Sequence, residues 1–272
     1  MIASSALPLA APLAPSAAPV MIGTWAAMHA AFLWSLLRSG GELYGPNIRR
    51  GETNGARVAL TFDDGPGGDE TQRLLDLLDA EGVRASFFVV GRRALRHAAA
   101  VRRMAAAGHT IGNHTMSHLV GWAAAGKRRA MREVTEAQEA LAGITGVAPE
   151  LFRPPMGHKN VYLPEILEAT GLKQVTWSIR AWDTILRSEA PVAQRILRRA
   201  RPGEIILLHE GLSSRGGGAG MAAGLARRLI KGLRERGLRP VALSELLRGP
   251  AEPDPAPSSA TPHASSNDEP AR

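Results

Sequence analysis

Two adjacent carboxylates, Asp63 and Asp64, close the apolar, β-branched run of RVALTFDDGPG, Arg57 to Gly67. Like charges side by side repel, and each must be solvated, paired or bound to a cation. Asp-Gly and Gly-Pro are turn signals and aspartate often caps a following helix, which explains one carboxylate more easily than two. Further on, His114 and His118 in NHTMSH stand four residues apart, a spacing that suits a shared metal ion. Arg153 lies in RPPMG, Asp183 follows QVTWSIRAW, and His209 ends GEIILLH. Alone, each has an ordinary use: an ion pair beside a rigid turn, a helix cap, a donor to a backbone carbonyl. Their joint placement at successive strand ends is harder to assign to chance.

The elements that must position them are legible from periodicity. RVALTF, RASFFVV, HTIGNH, ELFRPP, KQVTWSI, GEIILLH and RPVAL read as strands between Val58 and Leu247. Helical runs such as DETQRLLDLLDAEG, RRALRHAAAVRRMAAAG and GMAAGLARRLIKGLRERG separate them. Strands alternating with helices predict a parallel sheet with right-handed crossovers. About six to eight such units predict an α/β fold, a small or incomplete barrel. Parallel α/β folds gather chemistry at the carboxyl ends of strands, so the ionisable residues above converge on one rim.

Composition narrows the function classes. The 272 residues hold no cysteine, which excludes disulfides, thiolate metal sites and cysteine nucleophiles. The formal net charge is +8, yet the arginines are scattered along helix faces without interleaved aromatics. That pattern points to solvated helix surfaces and away from nucleic acid. Nothing in the sequence sets an oligomeric state.

Five segments are expected. Residues 1–19 form an Ala/Pro-rich disordered leader, and 20–37 (VMIGTWAAMHAAFLWSLL) a hydrophobic helix of nearly membrane-spanning length. Trp25 and Trp34 near its ends suit interface anchors, whereas an amphipathic or buried helix is the competing reading. Arg38, Arg49 and Arg50 follow it, which by the positive-inside rule keeps the next domain cytoplasmic. An envelope location would require the opposite orientation, and the side of the membrane stays open. Residues 38–56 form a linker, 57–249 the α/β domain, and 250–272 a Pro/Ser/Ala-rich disordered tail.

TFDDGP, HTMSH, RPPMG, a later aspartate and LLH, in that order, resemble the five motifs of the NodB-type polysaccharide deacetylases, carbohydrate esterase family four. The resemblance spans about Arg57 to Leu247 and implies a distorted (β/α)7-8 barrel. It also implies hydrolysis of acetyl groups on amino sugars of a polysaccharide or glycoconjugate. The other readings are a deformylase or amidohydrolase acting on a lipid-linked amino sugar, and an inactive carbohydrate-binding domain.

Carried over by position, Asp64, His114 and His118 correspond to the metal ligands. The metal is a divalent cation, Zn2+ first, with Co2+ and Ni2+ compatible. Asp63 corresponds to the general base, Arg153 to its partner, His209 to the general acid, and Asp183 to the group that orients His209. Pro154, Met156, Leu207 and Trp182 correspond to substrate-binding positions, with the Met156 N–H aiding the oxyanion. The sequence departs from the motifs at Met156, where an aromatic is usual, at Arg180, where an aspartate is common, and at Glu210, where aspartate is common.

Overall fold

The computed structural model describes residues 17–248 except 54, 187 and 211–220. The 250–272 tail, residues 1–16 of the expected leader and the GLSSRGGGAG stretch lie outside the described residues.

Helix α1 (Ala17–Leu37) precedes the domain. The first half of the domain contains β1 (Arg57–Gly65), α2 (Asp69–Ala80), β2 (Ser86–Val89), α3 (Gly91–Arg96), α4 (Ala98–Ala106) and β3 (Thr110–Asn113). Then come α5 (Lys127–Thr145), β4 (Leu151–Phe152), α6 (Leu163–Thr170), β5 (Lys173–Gln174) and β6 (Ile179–Arg180). The chain closes with α7 (Glu189–Arg199), β7 (Ile205–His209), α8 (Ala222–Glu235), β8 (Arg239–Val241) and α9 (Leu243–Leu247).

The strands run in the order β5-β4-β3-β2-β1-β7-β6, all parallel, and β8 pairs with the start of β1. Helices cover the outside of this curled sheet, which is the distorted barrel predicted. Ala59 pairs with both Ile205 and Val241, so β8 lies opposite β7, on the same edge as β2.

Strand alternation sorts side chains onto two faces. Leu60, Phe62, Phe87, Ile206 and Leu208 face outward and pack on Leu74, Leu78, Leu225 and Leu229 of α2 and α8. Ala59, Phe88, Val175, Trp177, Ile205 and Leu207 face inward and fill the barrel. Each fully buried Leu or Phe contributes about 1.5–3 kcal/mol, so both clusters hold the strand ends in register.

Two expected elements are broken. KQVTWSI divides into β5 and β6 because Ile48, from the 38–56 stretch, inserts beside Val175. The Ile48 N–H donates to Gln174 at 2.9 Å, and the Thr176 N–H donates to Ile48 at 2.9 Å. Ser178 then satisfies the N–H of Ile205 with its hydroxyl at 3.0 Å. The run RRALRHAAAVRRMAAAG breaks at His97, whose φ of −126° separates α3 from α4.

Helix α1 is apolar on every side and exposed along most of its length, including Val20, Trp25, Met28, Phe32 and Trp34. Its end is fixed to the domain. The N–H of Lys159 donates to the Leu36 carbonyl at 2.8 Å, and Lys159 Nζ donates to the carbonyls of Arg38 and Ser39 at 2.7 and 2.9 Å.

Candidate active site

Consecutive residues of a strand point to opposite faces, so Asp63 and Asp64 need a backbone device to meet one site. The β1–β2 register shifts between Asp63 and Gly65, and Asp64 takes φ +69°. Asp63 stays on the inward face, where its register partner on β7 is His209. Among the described residues, the non-glycine ones with positive φ are Asp64, Thr115, His118, Met156 and Trp182. All five belong to the strand-end loops of this rim, where such strain is held at about 1–3 kcal/mol per residue.

Asp64, His114 and His118 bring one ligand atom each to within 4.8 Å of one another. His118 Nε2 lies 3.1 Å and His114 Nε2 3.4 Å from Asp64 Oδ1. That oxygen is buried and makes no hydrogen bond. His114 Nδ1 lies 2.7 Å from the Arg153 carbonyl, which sets Nδ1 as the donor and leaves the Nε2 lone pair for a ligand. Burial pushes the Asp64 carboxyl up, but the facing imidazoles of His114 and His118, with His209, outweigh it and hold the group well below the usual range. Burial and the neighbouring His114 lower the His118 pKa, which favours neutral imidazole. A buried orphan carboxylate oxygen with two imidazole nitrogens facing it fits a divalent cation with nitrogen and oxygen ligands.

Asp63, almost fully buried, pairs with Arg153 through Oδ1 at 2.6 Å. Arg153 is entirely buried and its donors are well used. Nη1 also donates to Thr61 Oγ1 at 2.9 Å and Nη2 to the Thr176 carbonyl at 2.9 Å, while the guanidinium lies 3.9 Å from the Phe88 ring centroid. Burial lowers the Arg153 pKa and Asp63 opposes this. A guanidinium so held keeps its charge.

Across the rim, Asp183 grips His209 with both oxygens. Oδ1 accepts from His209 Nδ1 at 2.8 Å and Oδ2 from the His209 backbone N–H at 2.8 Å. Burial would lower the His209 pKa, but the hydrogen bond and charge of Asp183, aided by Asp63 and Asp64, raise it. Nδ1 is thereby committed to Asp183, and Nε2 is left for proton transfer.

The four expected substrate contacts divide. Pro154 is buried at the start of a single 3₁₀ turn, Pro155–Gly157, and Met156 in that turn is exposed. Trp182 is 42% exposed at the lip. Leu207 faces the barrel interior, between its register partners Thr61 and Arg180. A cavity of about 800 Å³ opens at the opposite ends of the strands, beside His109, Thr110 and Lys173.

Sequence reasoning passed over several supports of the site. Thr61 and the Thr176 carbonyl anchor Arg153, and Arg93 donates to the Asp64 carbonyl. Glu210 is buried and accepts from Thr71 Oγ1 at 2.5 Å, while its Oε1 has no partner. A Cβ on Gly65 would fall 1.6 Å from that oxygen, so only glycine fits after Asp64. A carboxylate following the strand-end histidine was the visible signal for Glu210, but its burial depends on the distant Thr71.

Fold and motif order together place the chain in a known class: it belongs to the polysaccharide deacetylase family. The polysaccharide deacetylase family model matches residues 50–175. A chitooligosaccharide deacetylase of Sinorhizobium fredii is 37% identical over 171 residues, covering 60% of this chain and 76% of the relative. The peptidoglycan-N-acetylglucosamine deacetylase PgdA of Listeria monocytogenes is 32% identical over 165 residues, 61% of this chain. The match spans only 34% of PgdA, about a third of its length. The crystal structure of the Bc1960 peptidoglycan N-acetylglucosamine deacetylase superposes with a TM-score of 0.68 at 31% identity, covering 74% of this chain and 92% of that one.

Proposed function

We propose that this chain is a metal-dependent hydrolase that removes acetyl groups from N-acetylated sugars of a polysaccharide or glycoconjugate. The observation that carries this reading is the division of the rim into three groups. Asp63 is locked to Arg153, Asp64 faces two imidazoles, and His209 is held by Asp183. The relatives named above, which deacetylate peptidoglycan N-acetylglucosamine or chitooligosaccharides, support the same chemistry.

Asp64, His114 and His118 hold the cation, with Zn2+ preferred by the donor set. Bound there, it supplies Lewis acidity to acidify water and polarise an amide carbonyl. Asp63, oriented by its pair with Arg153, removes the proton from the attacking water. The Met156 N–H helps to stabilise negative charge on the acyl oxygen. His209 delivers a proton from Nε2 to the departing amine, and Asp183 fixes its tautomer. Pro154, Met156, Leu207 and Trp182 shape the acetyl and sugar subsites. The catalytic domain is the 57–249 segment.

Helix α1 is the membrane anchor in this proposal. Its span Pro19–Leu37 has mean hydropathy 1.5 and is long enough to cross a bilayer, which supports a location of the domain at a membrane or envelope surface. The reaction is tested by incubating zinc-reconstituted protein with N-acetylglucosamine oligomers. Equal amounts of acetate and new free amine are expected. No release of either from these oligomers by the zinc-loaded protein would contradict the N-acetyl sugar reading.

A further inference from the structure

Arg180 is a cation of the inner rim that the mechanism leaves unused. Its neighbours Ile179 and Ala181 both pack outward among the helix-facing side chains, so the intervening Arg180 points into the barrel. There its guanidinium lies 4.2 Å from the centroid of the exposed Trp182 ring and 6.0 Å from that of Trp177. It feels the charges of Asp183 and Asp63. Neither carboxylate pairs with it: Asp183 turns both oxygens to His209, and Asp63 turns Oδ1 to Arg153. Among the described residues the Arg180 side chain makes no ion pair or hydrogen bond, and its Nε is buried without a partner.

A guanidinium stacked on an aromatic, half-buried and lacking an acceptor, is poised for a planar or tetrahedral oxyanion. Desolvating this charge beside the catalytic groups is costly unless a ligand supplies the counter-charge. We propose that Arg180, backed by Trp182, forms an anion subsite on the catalytic rim, so that the favoured substrate carries a carboxylate or phosphate next to the acetylated amino sugar. A carboxylate would come from an acidic sugar substituent, and a phosphate from a phosphorylated sugar or carrier. This inference rests on the sugar-deacetylase reading for its catalysis, but the anion binding itself does not.

The test measures binding and turnover separately on the full chain. Calorimetry compares N,N′-diacetylchitobiose, which is neutral, with the N-acetylglucosamine–N-acetylmuramic acid disaccharide, which carries a carboxylate. N-acetylglucosamine 1-phosphate, against N-acetylglucosamine itself, supplies the phosphate arm. At least one anionic probe is expected to bind about tenfold or more tighter than its neutral counterpart, the size of a charge-assisted hydrogen bond. The arm that shows the gain identifies the source of the anion. That advantage shrinks as salt rises. Arg180→Gln, which removes the charge but keeps a polar side chain, collapses the anionic-to-neutral ratio towards one, whereas Arg180→Lys keeps part of it.

Two results would overturn the proposal. One is equal binding of charged and neutral probes by wild type at low salt, which needs no variant. The other is a ratio unmoved in Arg180→Gln whose melting temperature matches wild type. Acetate release from the same probes is followed in parallel. An anion preference without any acetate release would refute the deacetylase reading and leave the subsite standing.

Discussion

Asp63 and His209 are register partners across the β1–β7 pair, so the proposed base and acid stand side by side on the inner face of the barrel. Each is held by its own dedicated partner, Arg153 at 2.6 Å and Asp183 at 2.8 Å. Asp183 raises the proton affinity of His209, as a proton donor requires.

Asp183 raises the pKa of His209, and an acid must be protonated to act. Replacing Asp183 by Asn removes the charge and favours the wrong tautomer. The expected loss in kcat is about hundredfold or more. The alkaline limb of the pH–rate profile should also move to lower pH. An unshifted limb would show that His209 does not report on that limb.

Breaking the Asp63–Arg153 pair strands a buried charge. Arg153→Met is expected to destabilise the fold by about 3–5 kcal/mol in urea denaturation and to abolish turnover. The double variant Asp63→Asn, Arg153→Met should regain much of the stability while remaining inactive. If the double variant were no more stable than the single one, the pair would not be what holds Arg153.

Glu210 gives a stability signature. Burial raises its pKa from its ordinary 4.5 to about 7, with Thr71 partly opposing. The native state therefore holds the proton more tightly than the unfolded chain. For this group, stability is highest below about pH 4.5 and falls as pH rises towards 7. The size of the loss is on the order of 3 kcal/mol. Glu210→Gln should flatten that slope and be more stable than wild type at pH 8, as read by urea melts at pH 5 and 8.

His118 contributes to the proposed cation site without an evident role in the core. His118→Ala should lower zinc affinity by about a hundredfold or more, measured by competition with a chromophoric chelator. The rise in melting temperature on adding zinc should shrink with it. Full retention of affinity would remove His118 from the ligand set.

Much of this architecture is legible in the sequence because parallel strands leave a simple trace. An apolar run ends in an ionisable residue, and the runs recur at helix-length spacing. That is enough to gather Asp63, Asp64, His114, His118, Arg153, Asp183 and His209 on one rim. It is not enough to divide labour between Asp63 and Asp64, because their separation depends on a register shift and a positive φ. Periodicity likewise merges β5 and β6 into one strand, since the interruption comes from Ile48, more than a hundred residues upstream. Arg180 and Glu210 look like surface charges in one dimension, and only the alternation of faces and the contact with Thr71 show them buried or half-buried beside the site.

The most direct measurement of the central claim is acetate release from N-acetylglucosamine oligomers by three samples: zinc-loaded wild type, the same protein stripped by chelator and then reloaded, and zinc-loaded Asp63→Asn. The proposed chemistry predicts release that vanishes on stripping, returns on reloading, and is lost in Asp63→Asn assayed below its own, lowered melting temperature. Equal release by the stripped protein or by Asp63→Asn would contradict it.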